Sequence, residues 1–123
     1  MFDKKLVLEI LSHIEESLTL LIDSTGHIET VDELLDSPQG VLMLDGICMR
    51  LMAVGEEIKK LDKITDKALL AGYPSIPWRS IMGIRDIIAH HYFEVDADRV
   101  FDVLRNNLPP LMAEIKKMTA DLS

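Results

Sequence analysis

Ser37-Pro38-Gln39-Gly40-Val41-Leu42-Met43-Leu44-Asp45-Gly46-Ile47-Cys48-Met49-Arg50-Leu51-Met52-Ala53-Val54-Gly55-Glu56-Glu57-Ile58 carries a helix in its spacing. Val41, Leu44, Cys48, Leu51, Gly55 and Ile58 recur three and four residues apart, which lays one apolar stripe along a helix. Ser37-Pro38 supplies the start. A serine hydroxyl accepts from a first-turn amide, and proline at the first helical position lacks an N–H that would have no partner there. Outward from this stretch the same pattern returns. Val7, Leu11, Ile14, Leu18 and Leu21 form one stripe, and Ile81, Ile84 and Ile88, entered after Pro74 and Pro77, form another. The last is Val100, Leu104, Leu108, Leu111, Ile115, Met118 and Leu122, with Asp96 or Asp98 as N-cap and Pro109-Pro110 predicting a kink or break midway. Glu29 to Asp36 and Asp62 to Leu70 each read as a helix of two or three turns. No stretch alternates with period two for long enough to predict a sheet. The expectation is all-α: an up-and-down antiparallel bundle of four long helices plus short ones, in a single domain over residues 1–123.

Composition narrows the function. Apolar residues make up 48% of the chain, enough for a core, and no apolar run approaches a membrane-spanning length. The N-terminus meets Asp3 and Glu9 before a signal-peptide core could form, so a cytoplasmic protein is expected. The single cysteine, Cys48, has no partner for an internal disulfide and lies in an apolar stripe, as a buried small hydrophobe rather than a nucleophile. A net charge of −8 opposes broad nucleic-acid affinity. Between Arg79 and Arg105 four arginines face five acids (Asp86, Glu94, Asp96, Asp98, Asp102), so any RNA contact has to be local or built from two chains.

The chemistry-bearing run is Arg85-Asp86-Ile87-Ile88-Ala89-His90-His91-Tyr92. A permanently charged guanidinium and an imidazole that exchanges protons near neutral pH suit phosphodiester cleavage without a metal. On an ideal helix Arg79, Gly83, Asp86 and His90 share one face away from the Ile81 stripe, with Gly83 as a notch for a second chain. Asp86 stands four residues before His90 and is placed to orient the imidazole. Arg85 lies about 140° from His90, so the two converge only if the helix ends near His90 or a partner chain completes the site. His91 and Tyr92 turn toward the stripe if the helix continues. Other uses remain open: His90 or His91 as helix C-caps, and Tyr92-Phe93 as a hydrophobic latch. Metal binding by His90, His91, Asp86 and Glu94 is disfavoured, since adjacent histidines on a helix point about 100° apart. His13 and His27 receive no role, and nothing calls for a cofactor.

The stretch Ile76-Pro77-Trp78-Arg79-Ser80-Ile81-Met82-Gly83-Ile84-Arg85-Asp86-Ile87-Ile88-Ala89-His90-His91-Tyr92-Phe93-Glu94-Val95-Asp96 resembles the signature of HepT-like toxins of the HEPN superfamily. That signature is an arginine, a polar residue, three further residues, histidine, any residue and tyrosine. Ala53-Val54-Gly55-Glu56-Glu57-Ile58 is similar to the family's Gly-Glu segment, and length and helical pattern agree along the whole chain. The resemblance implies a metal-independent endoribonuclease, the toxin of a two-gene toxin–antitoxin system, acting as a homodimer whose motif faces meet. It implies His90 as base or acid at the ribose 2′-hydroxyl, Arg85 as the stabiliser of transition-state charge and Asp86 as a supporting residue. It also implies a small nucleotidyltransferase antitoxin that transfers AMP to Tyr92. The alternative is a non-catalytic helical adaptor that dimerises through the Arg79 and Gly83 face and holds such a partner.

Overall fold

The computed structural model describes residues 2–91 and 94–123, with the side chains of residues 89–91 and 94 outside that description. The chain runs α1 (Lys4–Thr25), α2 (Asp32–Leu35), α3 (Pro38–Ile64), α4 (Ala68–Ala71), α5 (Trp78–Met82), α6 (Ile84–Ile88), strands β1 (Ala89–His91) and β2 (Glu94–Val95), α7 (Ala97–Asp102), a π-helical turn (Val103–Asn107) and α8 (Leu108–Leu122). The fold is all-α, as the stripes require. One cluster of buried side chains, drawn from every pass, forms the core. No helix among the described residues is long and apolar enough to cross a membrane.

Helix α3 and the last pass start where the sequence says, and α1 opens on a cap that its stripe did not announce. Asp3 Oδ1 accepts the Leu6 amide at 3.2 Å to open α1. Ser37 Oγ accepts the Gly40 amide at 2.9 Å to open α3, with Pro38 in its first turn. Asp96, not Asp98, caps α7, its Oδ1 accepting the Arg99 amide at 3.1 Å. The α1 stripe of Val7, Leu11, Ile14, Leu18 and Leu21 is buried in full. In α3 the stripe is Gly40, Leu44, Ile47, Cys48, Leu51, Val54, Gly55, Ile58 and Leu61, while Val41 stays 43% exposed. The reason lies in what covers the first turn. A β-carbon on Gly40 would stand 2.6 Å from the Glu33 carbonyl oxygen, so α2 presses on the Gly40 face and Val41, about 100° round the helix, is left outside. Arg50 of α3 donates to Ser17 Oγ of α1 at 3.5 Å, and Met43 and Thr25 flank one small groove, so the two helices run antiparallel.

Two short segments depart from expectation. Between 29 and 36 only Asp32–Leu35 is helical. The Glu33 carboxylate folds back to accept the Glu29 and Thr30 amides at 2.7 and 2.8 Å, and these bonds hold its carboxyl below the usual range. The helix expected over 62–70 belongs partly to α3, which continues through Ile64. There Lys67 N–H returns to the Asp62 carbonyl and Asp66 N–H to that of Lys63, a Schellman-type ending with Asp66 at φ 56° where glycine is usual. Lys67 follows at φ 64°, so the chain reverses sharply into α4.

The proline pair does not break the last pass. Pro109 and Pro110 have no N–H to give the Arg105 and Asn106 carbonyls, and the helix absorbs the loss by widening to the π register over Val103–Asn107, where Leu108 N–H reaches the Val103 carbonyl. The stripe from Val100 to Met118 stays buried throughout. Arg105, carried on this turn, donates to the carbonyls of Thr25 (2.7 Å) and Ile28, and its guanidinium lies 5.0 Å from the centre of the Phe101 ring. It thereby supplies the positive charge that the last turn of α1 lacks.

Candidate functional site at the turn of α5 and α6

The third pass carries the motif, and it is not one helix. Gly83 ends α5, its N–H returning to the Arg79 carbonyl at 3.1 Å, and α6 then runs only to Ile88. Beyond it the chain is extended: Ala89 pairs with Val95 and His91 with Glu94 in an antiparallel ladder, and Asp96 N–H closes onto the Ile88 carbonyl at 2.7 Å. Strands of three and two residues are too short for alternation to announce them. This geometry corrects the helical-wheel expectation. Arg79, Gly83, Asp86 and His90 do not share one continuous helix face, and Asp86 and His90 do not stand one helical turn apart. The same ending removes the objection that Arg85 and His90 must diverge by about 140°. The expected directions of the His90 and His91 side chains, and Tyr92 altogether, lie outside the described residues.

What holds this pass in place is contact with α3, α7 and α8. A β-carbon on Gly55 would stand 3.0 Å from both the Ile81 carbonyl oxygen and Ile84 Cγ2, so α3 meets the α5–α6 turn almost backbone to backbone. The close approach belongs to Gly55. At Gly83 a β-carbon would meet only carbonyls of its own turn, Arg79 O at 3.5 Å and Ser80 O at 3.9 Å. Upstream, the Trp78 indole is buried and donates to the Tyr73 carbonyl at 2.8 Å, pinning the start of α5. The Tyr73 hydroxyl donates to Asp121 Oδ2 at 2.6 Å and Ser75 Oγ to Glu114 Oε1 at 3.1 Å, tying the same loop to α8. The carboxylate beside it stabilises the neutral phenol, and the Tyr73 pKa is pushed up to about 12.

Arg85 and Asp86 both project into solvent from α6, and Arg79 does so from α5. Among the described residues neither Arg79 nor Arg85 has a hydrogen-bond or ion-pair partner, whereas Arg99 pairs with Asp102 at 3.6 Å and Arg105 caps α1. Among the described residues the four arginines of this region thus divide into two engaged and two without a partner. Sequence spacing missed the engagement of Arg105, although the absence of any basic residue in the last turn of α1 was a usable sign. Cys48 is buried, and desolvation with the nearby Asp45 pushes its thiol up to about 11, which removes it as a nucleophile near neutral pH.

Comparison with known proteins agrees with the family resemblance. The family described as ribonuclease HepT-like matches residues 7–118. The chain is 29% identical over 119 residues to "Putative RNase MJ0127" of Methanocaldococcus jannaschii, covering 97% of this chain and 92% of that protein. It is 32% identical over 113 residues to "Gamma-glutamylcyclotransferase and putative RNase MJ0434" of the same organism, covering 91% of this chain and 47% of that one. "Probable ribonuclease HepT" of Thermococcus cleftensis shares 26% identity over 110 residues, 89% of this chain and 93% of its own. No solved structure matches the chain. With the family match spanning nearly its whole length, the chain belongs to the ribonuclease HepT-like family.

Proposed function

We propose that this chain is a metal-independent endoribonuclease, the toxin of a toxin–antitoxin pair. Arg85 carries the reading: a solvent-exposed guanidinium with no partner among the described residues, three positions before the helix gives way to the ladder that contains His90. A guanidinium without a partner among the described residues is placed to receive a phosphate. In the proposed reaction His90 takes the proton of a ribose 2′-hydroxyl. The 2′-oxygen bonds to phosphorus, Arg85 stabilises charge on the phosphorane oxygens, and the bond to the 5′-oxygen breaks as that oxygen gains a proton from water, to which His90 later returns the one it took. The products are a 2′,3′-cyclic phosphate and a free 5′-hydroxyl. Asp86 acts as a supporting carboxylate, reaching the site from α6 rather than along a shared helical turn with His90.

The active form is a homodimer in which the segments around Arg79 and Gly83 face each other and two motifs make one cleft. The antitoxin is a nucleotidyltransferase that transfers AMP from ATP to the Tyr92 hydroxyl with loss of pyrophosphate, adding bulk and negative charge where RNA must enter. Expression in a bacterial host without any partner tests the reading. Wild type arrests growth and leaves RNA fragments ending in 2′,3′-cyclic phosphate, while His90→Ala does neither. Equal growth and intact RNA in both would refute it.

A further inference from the structure

The motif's own neighbourhood is short of positive charge, so whatever holds an RNA strand has to come from elsewhere in the fold. Lys59, Lys60, Lys63 and Lys67 supply it. They are four of the thirteen basic residues of a chain with net charge −8, and they fall within nine positions. They line one open groove of about 630 Å³ on the C-terminal half of α3. Met82, the last residue of α5, forms part of its wall. The groove also contains the carboxylates of Glu56, Asp62 and Asp66, leaving its lining at +1 while the rest of the chain carries −9. None of the four ammonium groups has an ion-pair partner among the described residues.

The backbone brings this cluster together. Lys59 and Lys63 are one turn apart on α3, about 6 Å along its axis, and Lys60 lies beside them. Lys67 joins only because Asp66 and Lys67 both take left-handed conformations, φ 56° and 64°, which turn the chain back at the end of α3. Neither is a glycine, and a non-glycine pair held in that region is an outlier that the surroundings have to maintain. Four residues before Lys59, Gly55 touches the α5–α6 turn, so the groove begins beside the segment from which Arg85 projects.

We propose that this groove is the phosphate track of the site, holding the backbone of a single RNA strand and leading it to Arg85. This rests on the ribonuclease reading, and it names where the substrate lies. Lysines grip phosphates as mobile point charges without reading bases, so the track contributes affinity but no sequence preference. Its three carboxylates weaken the field beyond the groove, which keeps duplex nucleic acid from adhering broadly to so acidic a protein.

Salt-dependent binding of a labelled single-stranded RNA to the His90→Ala protein, followed by anisotropy, tests this without any cleavage. Replacing Lys59, Lys60, Lys63 and Lys67 together by Gln should flatten the plot of log affinity against log salt by roughly 0.7 per lysine engaged, and weaken binding at least about tenfold at low salt. The fourfold Lys→Arg variant should bind like the parent, and Lys4→Gln with Lys5→Gln, at the start of α1, should leave the slope unchanged. An unaltered slope in the fourfold Gln variant overturns the proposal, as does an equal loss from the Lys4 and Lys5 changes. So does loss of a protein partner with RNA binding intact. Failure of the ribonuclease reading looks different: the parent binds RNA through these lysines, yet wild type leaves RNA whole.

Discussion

Helices α1, α3 and α8 and the α5–α6 pass are built by opposite means. The long helices are specified along their own length, with side-chain caps at the starts of α1 and α3, apolar residues every three or four positions and side chains such as Leu11, Leu51 and Ile115 fully buried. The motif pass has two helices of five residues, a glycine between them and a short ladder after them. Helices that short do not stand alone in water. Their position is imposed by Gly55 of α3, by the Tyr73, Ser75 and Trp78 bonds and by the Asp96 closure. The chain therefore separates a self-specifying frame from a docked segment that carries the motif, and substitutions should separate in the same way.

The largest expected difference is in activity alone. Arg85→Ala removes an exposed side chain with no partner among the described residues, so cleavage should fall about 10²–10³-fold while stability moves by less than about 0.5 kcal/mol. Paired kinetics and urea unfolding check this, and a parallel loss of stability would merge the two regions. Leu51→Ala is the mirror case: truncation of a fully buried frame residue should cost about 2–5 kcal/mol in unfolding experiments.

Two glycines on the same helix set frame against docking surface. Gly55→Val pushes a branched side chain into the Ile81 carbonyl and Ile84, and should cost about 1–3 kcal/mol along with cleavage. Gly46→Ala meets nothing within 4 Å and should stabilise by about 0.5–1 kcal/mol through helix propensity, with cleavage unchanged. Equal thermal shifts in the two variants would mean that Gly55 is no special contact.

The smallest effect concerns the tether between the docked segment and α8. In a Tyr92→Phe background Tyr73 is the sole tyrosine, and its ultraviolet titration should have its midpoint near 12. Asp121→Asn should lower that midpoint. Because the folded pKa is raised above the ordinary value, the bond's contribution to stability is complete below about pH 10 and is lost as pH rises toward 12. An unchanged midpoint in Asp121→Asn would show that the bond does not hold in solution.

The frame was legible because helical periodicity and caps are local signals. Val7 to Leu21 and Ser37-Pro38 read directly into α1 and α3. Val41 failed because the contact that decides its face comes from α2, a tertiary fact absent from the stripe itself. The break expected at Pro109-Pro110 became a π turn because two missing amides can be absorbed by a change of register as well as by a bend. At the site, the residue types of the Arg85 to Tyr92 run were readable, but their geometry was not. Extrapolating one helix past Gly83 and Ile88 assumed that local propensity ruled, where docking against α3 and α7 does. The lysine groove was invisible for a related reason, since Lys67 reaches it only through two left-handed residues that nothing in the composition announces.

The central claim is that this chain cleaves RNA by attack of its own 2′-oxygen, with Arg85 and His90 as the working pair. Purified protein mixed with an end-labelled RNA, and with the same strand carrying 2′-deoxyribose throughout, tests it most directly. Fragments ending in 2′,3′-cyclic phosphate are expected from the first strand and no cleavage of the second. Cleavage of both strands, or of neither, would contradict it.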